Sequence, residues 1–176
     1  MDTRNLAERY GTPLIEWTRV EDRLARGLQQ APGSDGPGRH TCWLATTNDD
    51  GTPHLTGIGA LWVGGAFFFE TGETTRKGRN LARDPRCSLG VATREFDLVV
   101  DGPATIVDEP AVVADMAARW ADEGWPARVD ESGTALTAEF SAPSAGHPPW
   151  KVYRLEPRQA TALLTVDPGG ATRWRF

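Results

Sequence analysis

Short strand-like segments separated by tight-turn residues occupy residues 42–71 of this chain, and they leave few folds open to it. The sequence reads CWLATT, NDDGTP, HLTGIGALWV, GG and AFFFET. The β-branched and aromatic pieces suit strands, whereas the pieces rich in Asn, Asp, Gly and Pro suit turns. The series therefore predicts two successive β-hairpins.

A strand–helix–strand unit is predicted directly after the hairpins. The segment Gly72–Ala82 carries Thr74 or Thr75 as a helix cap, and Asp84-Pro85 ends the helix before the strand CSLGVAT. Asp97–Val107 predicts a further strand, and its internal Gly-Pro pair suits a bend where a sheet curls into a barrel. Further strands are expected at Trp150–Leu155, at about 160–164 and in the closing run ATRWRF, Ala171–Phe176.

Two helices are predicted to flank these strands. Trp17–Gln29 carries apolar residues at helical spacing, and Thr18 with Glu21 matches a capping box. A second helix begins near Pro110, with an apolar face formed by Val113, Met116, Ala117 and Trp120. The remaining long connections are expected to be a linker at Gln30–Arg39 and a lid-like loop at 123–149, with a helical turn near Leu136–Phe140.

Composition limits the classes of function. With 19 Lys and Arg against 24 Asp and Glu, the net charge of -5 creates no overall field that would attract nucleic acid or an anionic membrane. Cys42 and Cys87 lie in apolar runs without a CxxC pair, so neither a disulfide framework nor a metal site is expected. The sequence lacks the apolar run of a signal peptide or a membrane span, and the expected location is the cytoplasm.

The segment Glu70–Arg86, ETGETTRKGRNLARDPR, is the part of the sequence best suited to bind an anion. A helix N-terminus favours phosphate through its free N–H groups and its partial positive charge. The neighbouring cations Arg76 and Lys77 suit a terminal phosphomonoester. Thr71, Thr74 and Thr75 add hydroxyl donors. The alternative is a solvated basic helix that binds no ligand.

The order of these elements resembles that of a known family. Two hairpins, a basic helix, Asp-Pro-Arg and two strands occur in the pyridoxamine 5'-phosphate oxidase-like flavoproteins, including the actinobacterial flavin and deazaflavin oxidoreductases. The strand AFFFET followed by TRKGRNLARDPRCSL is similar to the phosphate-binding motif of that family. The resemblance implies a mainly β fold with flanking helices, the FMN-binding split β-barrel. It also implies a homodimer with cofactor sites between the subunits.

With 176 residues, seven Trp and six Phe, the chain is expected to form a single domain around one core. Its predicted parts are an N-terminal helix and linker at 1–39, a barrel core with the phosphate-binding helix at 40–109, an outer helix and loop at 110–149, and C-terminal strands at 150–176.

The resemblance assigns cofactor-binding roles to particular residues. Arg76 and Lys77 would hold the phosphate, with Thr71 nearby. Lys77, Arg79 and Asn80 are similar to the KxRNL pattern of the deazaflavin-binding branch. The strand that corresponds to the ring-contact strand of the family consists of Leu55, Thr56, Gly57, Ile58, Gly59 and Ala60. The closing ATRWRF is similar to a C-terminal signature that adds Arg173 and Trp174.

Some of these assignments have a structural alternative. Gly57 and Gly59 would let a planar ring approach the backbone, but interior glycines also mark bulges. Trp174 and Phe176 would also face inward on an edge strand that binds nothing. His54, at the start of a strand, suits a proton donor or a merely solvated residue. No side chain is therefore assigned as catalytic.

The expected function is that of an oxidoreductase. The sequence contains neither a GxSxG elbow nor an HExxH motif, so hydrolase chemistry is not expected. The resemblance implies hydride transfer through FMN or the deazaflavin coenzyme F420 to or from an unidentified small molecule. Both cofactors offer a phosphate to Arg76 and Lys77, but the deazaflavin also carries a long anionic tail, which needs an open basic groove.

Two other classes of function remain open. The same fold could serve as a non-catalytic flavin, haem or tetrapyrrole binding protein, or as a flavin-free dimer that acts through protein contacts. PPWKVYRLEP resembles the WKxxRLxP end of the pyridoxamine phosphate oxidases, but a further strand is predicted after it here. That departure argues against synthesis of pyridoxal phosphate.

Overall fold

A computed structural model describes residues 1–28 and 40–176, so the linker expected at Gln30–Arg39 lies outside the described residues. The described chain is mainly β with flanking helices, as the sequence predicts. None of the described helices is long and apolar enough to cross a membrane.

Twelve strands and three α-helices are formed by the described residues. The strands are β1 (Asp2–Asn5), β2 (Cys42–Thr47), β3 (Pro53–Ile58), β4 (Ala60–Val63), β5 (Ala66–Thr71), β6 (Arg86–Ala92), β7 (Phe96–Val107), β8 (Arg128–Val129), β9 (Leu136–Thr137), β10 (Lys151–Leu155), β11 (Gln159–Leu164) and β12 (Ala171–Arg175). The helices are α1 (Trp17–Ala25), α2 (Arg76–Arg83) and α3 (Pro110–Asp122), and short 3-10 turns lie at Glu8–Tyr10 and Pro143–Ala145.

The long strand β7 joins the two halves of the main sheet. Its first half pairs with β6 and β11, and its second half pairs with β10. Beyond β6 lie β2 and β3, beyond β11 lie β12 and β1, and beyond β10 lie β5 and β4. The predicted bend at Gly102-Pro103 is the point where β7 changes partners. A Cβ at Gly102 would collide with the Glu156 carbonyl oxygen, so the backbones approach closely there.

Both predicted hairpins are present, but they belong to different halves of the sheet. β2 pairs with β3, and β4 pairs with β5. The run HLTGIGALWV, expected as one strand, is interrupted at Gly59, because β3 ends at Ile58 and β4 begins at Ala60. Ala60 faces the core and is 1% exposed, whereas Leu55 is 61% exposed. The segment 55–60, predicted as one continuous strand, therefore belongs to β3 only as far as Ile58, and Ala60 begins β4.

The first helix differs from its prediction at both ends. α1 begins at Trp17, so Thr18 lies inside the first turn and does not form the predicted capping box with Glu21. The helix ends at Ala25, earlier than the sequence pattern indicates. Its apolar face is confirmed by the buried residues Trp17, Val20 and Leu24.

The other two helices follow their predictions. Thr75 caps α2, and Asp84 follows its last residue. α3 begins at Pro110 and buries the predicted face of Val113, Met116, Ala117 and Trp120. The helical turn predicted near 136–140 is wrong, because Leu136 and Trp150 exchange two backbone hydrogen bonds and strand β9 forms instead.

Side chains of β5 alternate between two hydrophobic clusters. Phe67 and Phe69 belong to the inner cluster, which α1 and the strands enclose. Phe68 belongs to an outer cluster between the sheet and α3. The strand is thus buried on both faces, as its unbroken apolar run indicates. α2 begins shortly after this strand, so a well-packed element positions its N-terminus.

Candidate functional site

The turn between β5 and α2 is held by hydroxyl and backbone hydrogen bonds. The Thr75 hydroxyl donates to the Gly72 carbonyl at 2.8 Å and accepts from the Gly78 N–H at 3.1 Å. Because its own proton is used in this way, Thr75 accepts a hydrogen bond from the Thr71 hydroxyl, 2.9 Å away. The structure brings Thr71 and Thr75 together, but both hydroxyl protons are already used within the turn.

Gly78 lets the first turn of α2 lie directly against this β5–α2 turn. A Cβ at Gly78 would lie 2.9 Å from the Glu73 carbonyl oxygen and closer still to that of Gly72. Both obstacles are backbone atoms, which cannot swing away as a flexible side chain would. Sequence reasoning gave Gly78 no role, although a glycine inside a helix is a recognisable signal of close approach.

Lys77 is not an exposed cation in this chain. Its side chain is 3% exposed, and its Nζ donates to the Ser144 carbonyl at 2.5 Å. Burial lowers the pKa of Lys77, and the neighbouring Glu70 carboxylate opposes that change. The resemblance places Lys77 beside Arg76 on a phosphate, whereas the structure places its ammonium group on the loop that contains Ser144.

Glu70 is a half-buried acid that sequence reasoning missed. One carboxylate oxygen, Oε1, accepts from the Ser141 hydroxyl at 3.4 Å, while Oε2 is buried without a hydrogen-bond partner. Burial raises the pKa of Glu70 to about 7, although the charge of Lys77 and the hydrogen bond from Ser141 oppose the rise. A half-buried acid and a buried base therefore lie within electrostatic reach of each other beneath the loop 141–147.

This loop lies directly on the β5–α2 turn. The Gly72 N–H donates to the Ala145 carbonyl at 2.9 Å. Gly146 has a φ of 75°, and a Cβ there would lie 2.9 Å from the Thr75 methyl group. The Trp150 indole donates to the Gly146 carbonyl at 3.0 Å. Part of the loop expected to act as a lid is thus packed against one side of the turn.

Arg76 is exposed, whereas Lys77 and Asn80, on the adjoining face of α2, are buried. Within residues 1–28 and 40–176, its guanidinium group has neither a hydrogen-bond nor an ion-pair partner. With Arg79 and Arg83 it lines a cleft of about 420 Å³, across from the turn that joins β2 and β3. Arg83 is a further residue that sequence reasoning did not select, although its spacing from Arg76 places both on one helical face.

Asn80 connects α2 to β2 and to the turn that follows β2 by side-chain hydrogen bonds. Its side chain is 4% exposed, and its amide donates to the Thr46 hydroxyl at 3.0 Å and to the Asn48 side-chain oxygen at 3.1 Å. An amide has two N–H donors, and both are used here. Asn80 therefore positions the cleft rather than presenting a free donor to a ligand.

Strand β3 is open beside the start of α2. In the described part of the chain it pairs with β2 alone, and its other edge is free. Leu55 is exposed, and the three residues that follow it are partly exposed. The pKa of His54 is lowered first by burial and then by the charges of Arg76 and Lys77. The beginning of β3 and the N-terminus of α2 therefore lie within electrostatic reach of each other.

Trp174 lies in the core and not at this surface. Its side chain is 1% exposed, and its ring centroid is 5.1 Å from that of Trp17. β12 also pairs with both β1 and β11, so it is not an edge strand. The inward orientation of Trp174 is confirmed, whereas Phe176 remains 46% exposed. In this chain the indole has almost no surface left for a cofactor, contrary to the role that the resemblance assigns to it.

The residues around α2 and β3 fit a planar ligand that carries a phosphate. Arg76 lies in the first helical turn, where the leading N–H groups have no intrahelical acceptor. A Cβ at Gly57 would make only ordinary contact, 3.5 Å from the Thr41 methyl group, so packing within the chain does not require glycine there. Without a Cβ, Gly57 lets a ring come closer to the backbone than another residue would, beside the Thr41 methyl group and the Trp43 ring.

Comparisons with known proteins show where this fold occurs. A family model described as pyridoxamine 5'-phosphate oxidase matches residues 37–164. A conserved hypothetical protein from Mycobacterium tuberculosis is 21% identical with a TM-score of 0.59, over 85% of this chain and 84% of that one. A pyridoxamine 5'-phosphate oxidase-related, FMN-binding protein from Nostoc punctiforme is 16% identical with a TM-score of 0.58, over 91% of each chain.

A heme-binding protein from Mycobacterium smegmatis has a similar fold as well. It is 16% identical with a TM-score of 0.54, over 86% of this chain and 57% of that one. Among curated proteins, none matches the chain. Similarity at these identities concerns the fold alone, and it confirms the predicted fold class.

Proposed function

Because this chain belongs to the pyridoxamine 5'-phosphate oxidase family, we propose that it binds FMN or the deazaflavin coenzyme F420 and acts as an oxidoreductase on a small molecule. The observation that carries the proposal is the unpaired Arg76 in the first turn of α2, beside the exposed strand β3. A guanidinium group at a helix N-terminus suits a phosphomonoester, to which it donates two parallel hydrogen bonds. The similar structure described as FMN-binding supports a ligand of this type.

The residues of the site take different roles in this proposal. Arg76 binds the phosphate. Lys77 and Thr75 shape the turn behind it, and Asn80 keeps α2 on β2. Residues 55–58 of β3 support one face of the ring. When bound, the cofactor supplies hydride transfer, so the protein needs no side-chain nucleophile and contributes binding, orientation and exclusion of water.

We also propose that two copies of the chain pair through the outer face of β3, β2, β6, β7 and β11. Large apolar side chains on this face are between 44% and 61% exposed, namely Trp43, Leu55, Val99 and Leu163. Strand pairing places Trp43 beside Gly57 and Gly90, and Gly90 beside Val99, so much of this surface is continuous. Exposed apolar patches of this kind mark interaction surfaces. Symmetric pairing would place β3 and α2 at the subunit interface.

Sedimentation tests the pairing. It should give twice the mass of one chain, and a monomer that binds the cofactor tightly would contradict the pairing.

Cofactor binding by matched arginine variants tests the phosphate site. FMN and F420 are titrated separately into the wild type, Arg76→Gln and Arg119→Gln. Arg119 is the control, since it is an exposed arginine of α3 that pairs with Asp115. Loss of a charge-assisted contact predicts roughly 10- to 100-fold weaker binding for Arg76→Gln. The control should bind as the wild type does. A single variant is preferable to joint replacement of Arg76 and Lys77, because Lys77 is buried and its loss would disturb the turn.

The outcomes separate the classes of function. If the wild type binds haem and neither FMN nor F420, the proposal fails and a non-catalytic haem protein replaces it. If the cofactor binds equally well to all three proteins, the assignment of Arg76 is wrong. Oxidoreductase activity requires that the protein accelerate oxidation or reduction of the bound cofactor by a small molecule. The absorbance of the cofactor changes with its oxidation state and measures this rate. A bound cofactor that reacts no faster than in solution would favour a binding protein.

A further inference from the structure

A cavity of about 620 Å³ lies where β7 changes partners. The pairing of β6 with β7 ends at Pro103, whereas β11 begins its pairing with β7 opposite Asp101. The connection between β10 and β11 crosses this place, since the Arg158 N–H donates to the Asp101 carbonyl at 2.8 Å. Small-molecule sites have volumes of about 300–1,000 Å³. We term this space the bend cavity, and it shares no lining residue with the cleft beside α2.

Four charged residues line the bend cavity, and their charges cancel. They are Asp84, Arg86, Asp101 and Arg158. Arg86 pairs with Asp84, with 2.7 Å between Nη2 and Oδ2. In contrast, no cationic side chain of the described residues lies within 4.0 Å of the Asp101 carboxylate, and no described carboxylate lies within 4.0 Å of the Arg158 guanidinium group. The cavity therefore presents one negative and one positive charge that the described chain leaves unpaired.

Asp101 is held in position as a hydrogen-bond acceptor. Its Oδ1 accepts from the Ser88 hydroxyl at 2.5 Å, and its Oδ2 accepts from the Gln159 amide at 3.1 Å. Both donors are neutral, so they orient the carboxylate without cancelling its charge. A carboxylate has about four acceptor sites, which leaves capacity for a ligand. Burial raises the pKa of Cys87 to about 12, and the charges of Asp101 and Asp84 add to the rise. This wall of the cavity therefore favours a cationic group.

Arg158 is positioned by its backbone and free at its side chain. Besides the N–H bonded to Asp101, its carbonyl accepts from the Phe176 N–H at 3.1 Å. The residue is exposed, and its guanidinium group has no hydrogen-bond partner among the described residues. A free guanidinium group suits a carboxylate, to which it donates two parallel hydrogen bonds.

Apolar residues also line the bend cavity, namely Ala45, Pro53 and Pro103. Ala45 lies opposite Ser88 in the pairing of β2 with β6, so an apolar surface adjoins the hydrogen-bonded pair of Ser88 and Asp101. A ligand that carries an apolar body as well as charged groups would bury that body here.

We propose that the bend cavity binds a second ligand, a small zwitterion with an apolar body, whose ammonium group contacts Asp101 and whose carboxylate contacts Arg158. Such a ligand pairs both free charges and leaves the cavity neutral. A ligand with a single charge would leave either Asp101 or Arg158 without a partner. Asp101 is half-buried, so its unpaired charge is unfavourable. The site goes beyond the proposed function, because none of its residues is assigned to the cofactor.

The test compares zwitterions with analogues that lack one charge. Phenylalanine carries both charges on one carbon atom, whereas para-aminomethylbenzoate carries them on opposite sides of a ring. Calorimetry measures their affinities beside those of the carboxylate analogues, hydrocinnamate and para-toluate, and of the amine analogues, phenethylamine and benzylamine. We expect at least one zwitterion to bind the wild type about tenfold more tightly than either of its analogues, because each analogue lacks one charge-assisted contact.

Two variants assign each charge of the ligand to its residue. Arg158→Gln should weaken binding of the zwitterion and of its carboxylate analogue roughly tenfold and leave the amine analogue unchanged. Asp101→Asn should weaken binding of the zwitterion and of the amine analogue and leave the carboxylate analogue unchanged. Neither variant should change the affinity for FMN or F420, since the two sites share no residue.

Charged residues outside the cavity provide the matched controls. Arg154 is exposed and pairs with Glu156 at 3.6 Å, and Asp108 is exposed just after the end of β7. Arg154→Gln and Asp108→Asn change the net charge by the same amounts and should bind the zwitterion as the wild type does. All proteins are compared in the oligomeric state that they adopt in solution, because Ser88 and Asp101 belong to the sheet face through which we propose that two copies pair.

Three results would overturn the inference and leave the proposed function standing. If neither zwitterion binds more tightly than its analogues, the cavity does not bind a zwitterion. If Arg158→Gln weakens the amine analogue as much as the carboxylate analogue, Arg158 does not bind the carboxylate. If either variant weakens FMN or F420 binding together with that of the zwitterion, the cavity is part of the cofactor site. Conversely, the expected zwitterion pattern in a protein that binds neither FMN nor F420 would support the second site and contradict the proposed function.

Discussion

The two sides of α2 differ in how completely the chain satisfies them. On the buried side, Lys77 and Asn80 donate to neighbouring elements and Gly78 permits direct backbone contact. On the exposed side, no carboxylate lies within 4.0 Å of the guanidinium groups of Arg76, Arg79 and Arg83 in the described chain. The contrast teaches that contacts within the chain fix the position of the helix through its buried side, while the charges on its exposed side contribute little to that position.

The largest expected effect on stability comes from adding a side-chain atom at Gly78, on the buried side of α2. Gly78→Ala would place a Cβ 2.9 Å from the Glu73 carbonyl oxygen and nearer to that of Gly72. Neither atom can move unless the whole β5–α2 turn shifts. We therefore expect the free energy of unfolding to fall by about 3 kcal/mol, measured by urea denaturation.

A second glycine provides the control for this prediction. In Gly90→Ala the nearest atom to the new Cβ would be the Leu98 carbonyl oxygen, 3.8 Å away, which is an ordinary contact. Its free energy of unfolding should change by no more than about 0.5 kcal/mol. If the two variants were equally stable, the close approach at Gly78 would not be what positions α2.

The pH dependence of stability should also distinguish the buried side. Burial raises the pKa of Glu70 from 4.5 to about 7, so the folded protein holds this proton more tightly than the unfolded chain does. The stability that this proton provides is complete below pH 4.5 and is lost as the pH rises through 7. Glu70→Gln removes the titration. Relative to this variant, the wild type should lose about 2 kcal/mol between pH 5 and pH 8, measured by denaturation across that range.

An exposed glutamate provides the comparison for this measurement. Glu131 lies in the connection between β8 and β9 and is exposed, so Glu131→Gln should follow the wild-type curve at every pH. Parallel curves for the wild type and Glu70→Gln would contradict a buried acid at position 70. In that case the unpaired Oε2 would have to be solvated in solution.

Local signals in the sequence were sufficient to predict the frame around α2. Thr75 caps the helix and Asp84-Pro85 ends it because caps and prolines act on adjacent backbone groups. The two hairpins follow from turn residues within a few positions of each strand. The family resemblance added the overall fold class, which the family match and the similar structures confirm.

Properties set by distant contacts were not predictable in the same way. The sequence predicts Lys77 to be a surface cation, but its ammonium group donates to Ser144, which lies almost seventy residues later in the chain. The Glu70 carboxylate accepts from Ser141 of the same loop. The inward orientation of Trp174 was one of two interpretations of the sequence, but the partners of β12 on both sides were not predicted, because β1 was not expected at all. The break at Gly59 arises because the two hairpins join different halves of the sheet.

The smallest expected effect on stability comes from a change on the exposed side of α2. Loss of a side chain there should not destabilise the protein, in contrast to the buried side. Arg79→Gln removes the middle one of three positive charges on this side of α2. It thereby removes the repulsion of Arg79 with Arg76 and with Arg83, which costs about 0.2–0.5 kcal/mol of stability per pair. The lost hydrogen bond to the Thr74 carbonyl is exposed to solvent and offsets part of this gain. Without ligand, the variant should therefore be as stable as the wild type or slightly more stable at low salt. The difference should vanish near 1 M salt, where charges are screened beyond about 3 Å. Thermal unfolding at the two salt concentrations measures it. A marked loss of stability at both would mean that Arg79 supports the fold, and the two sides of α2 would then differ only in exposure.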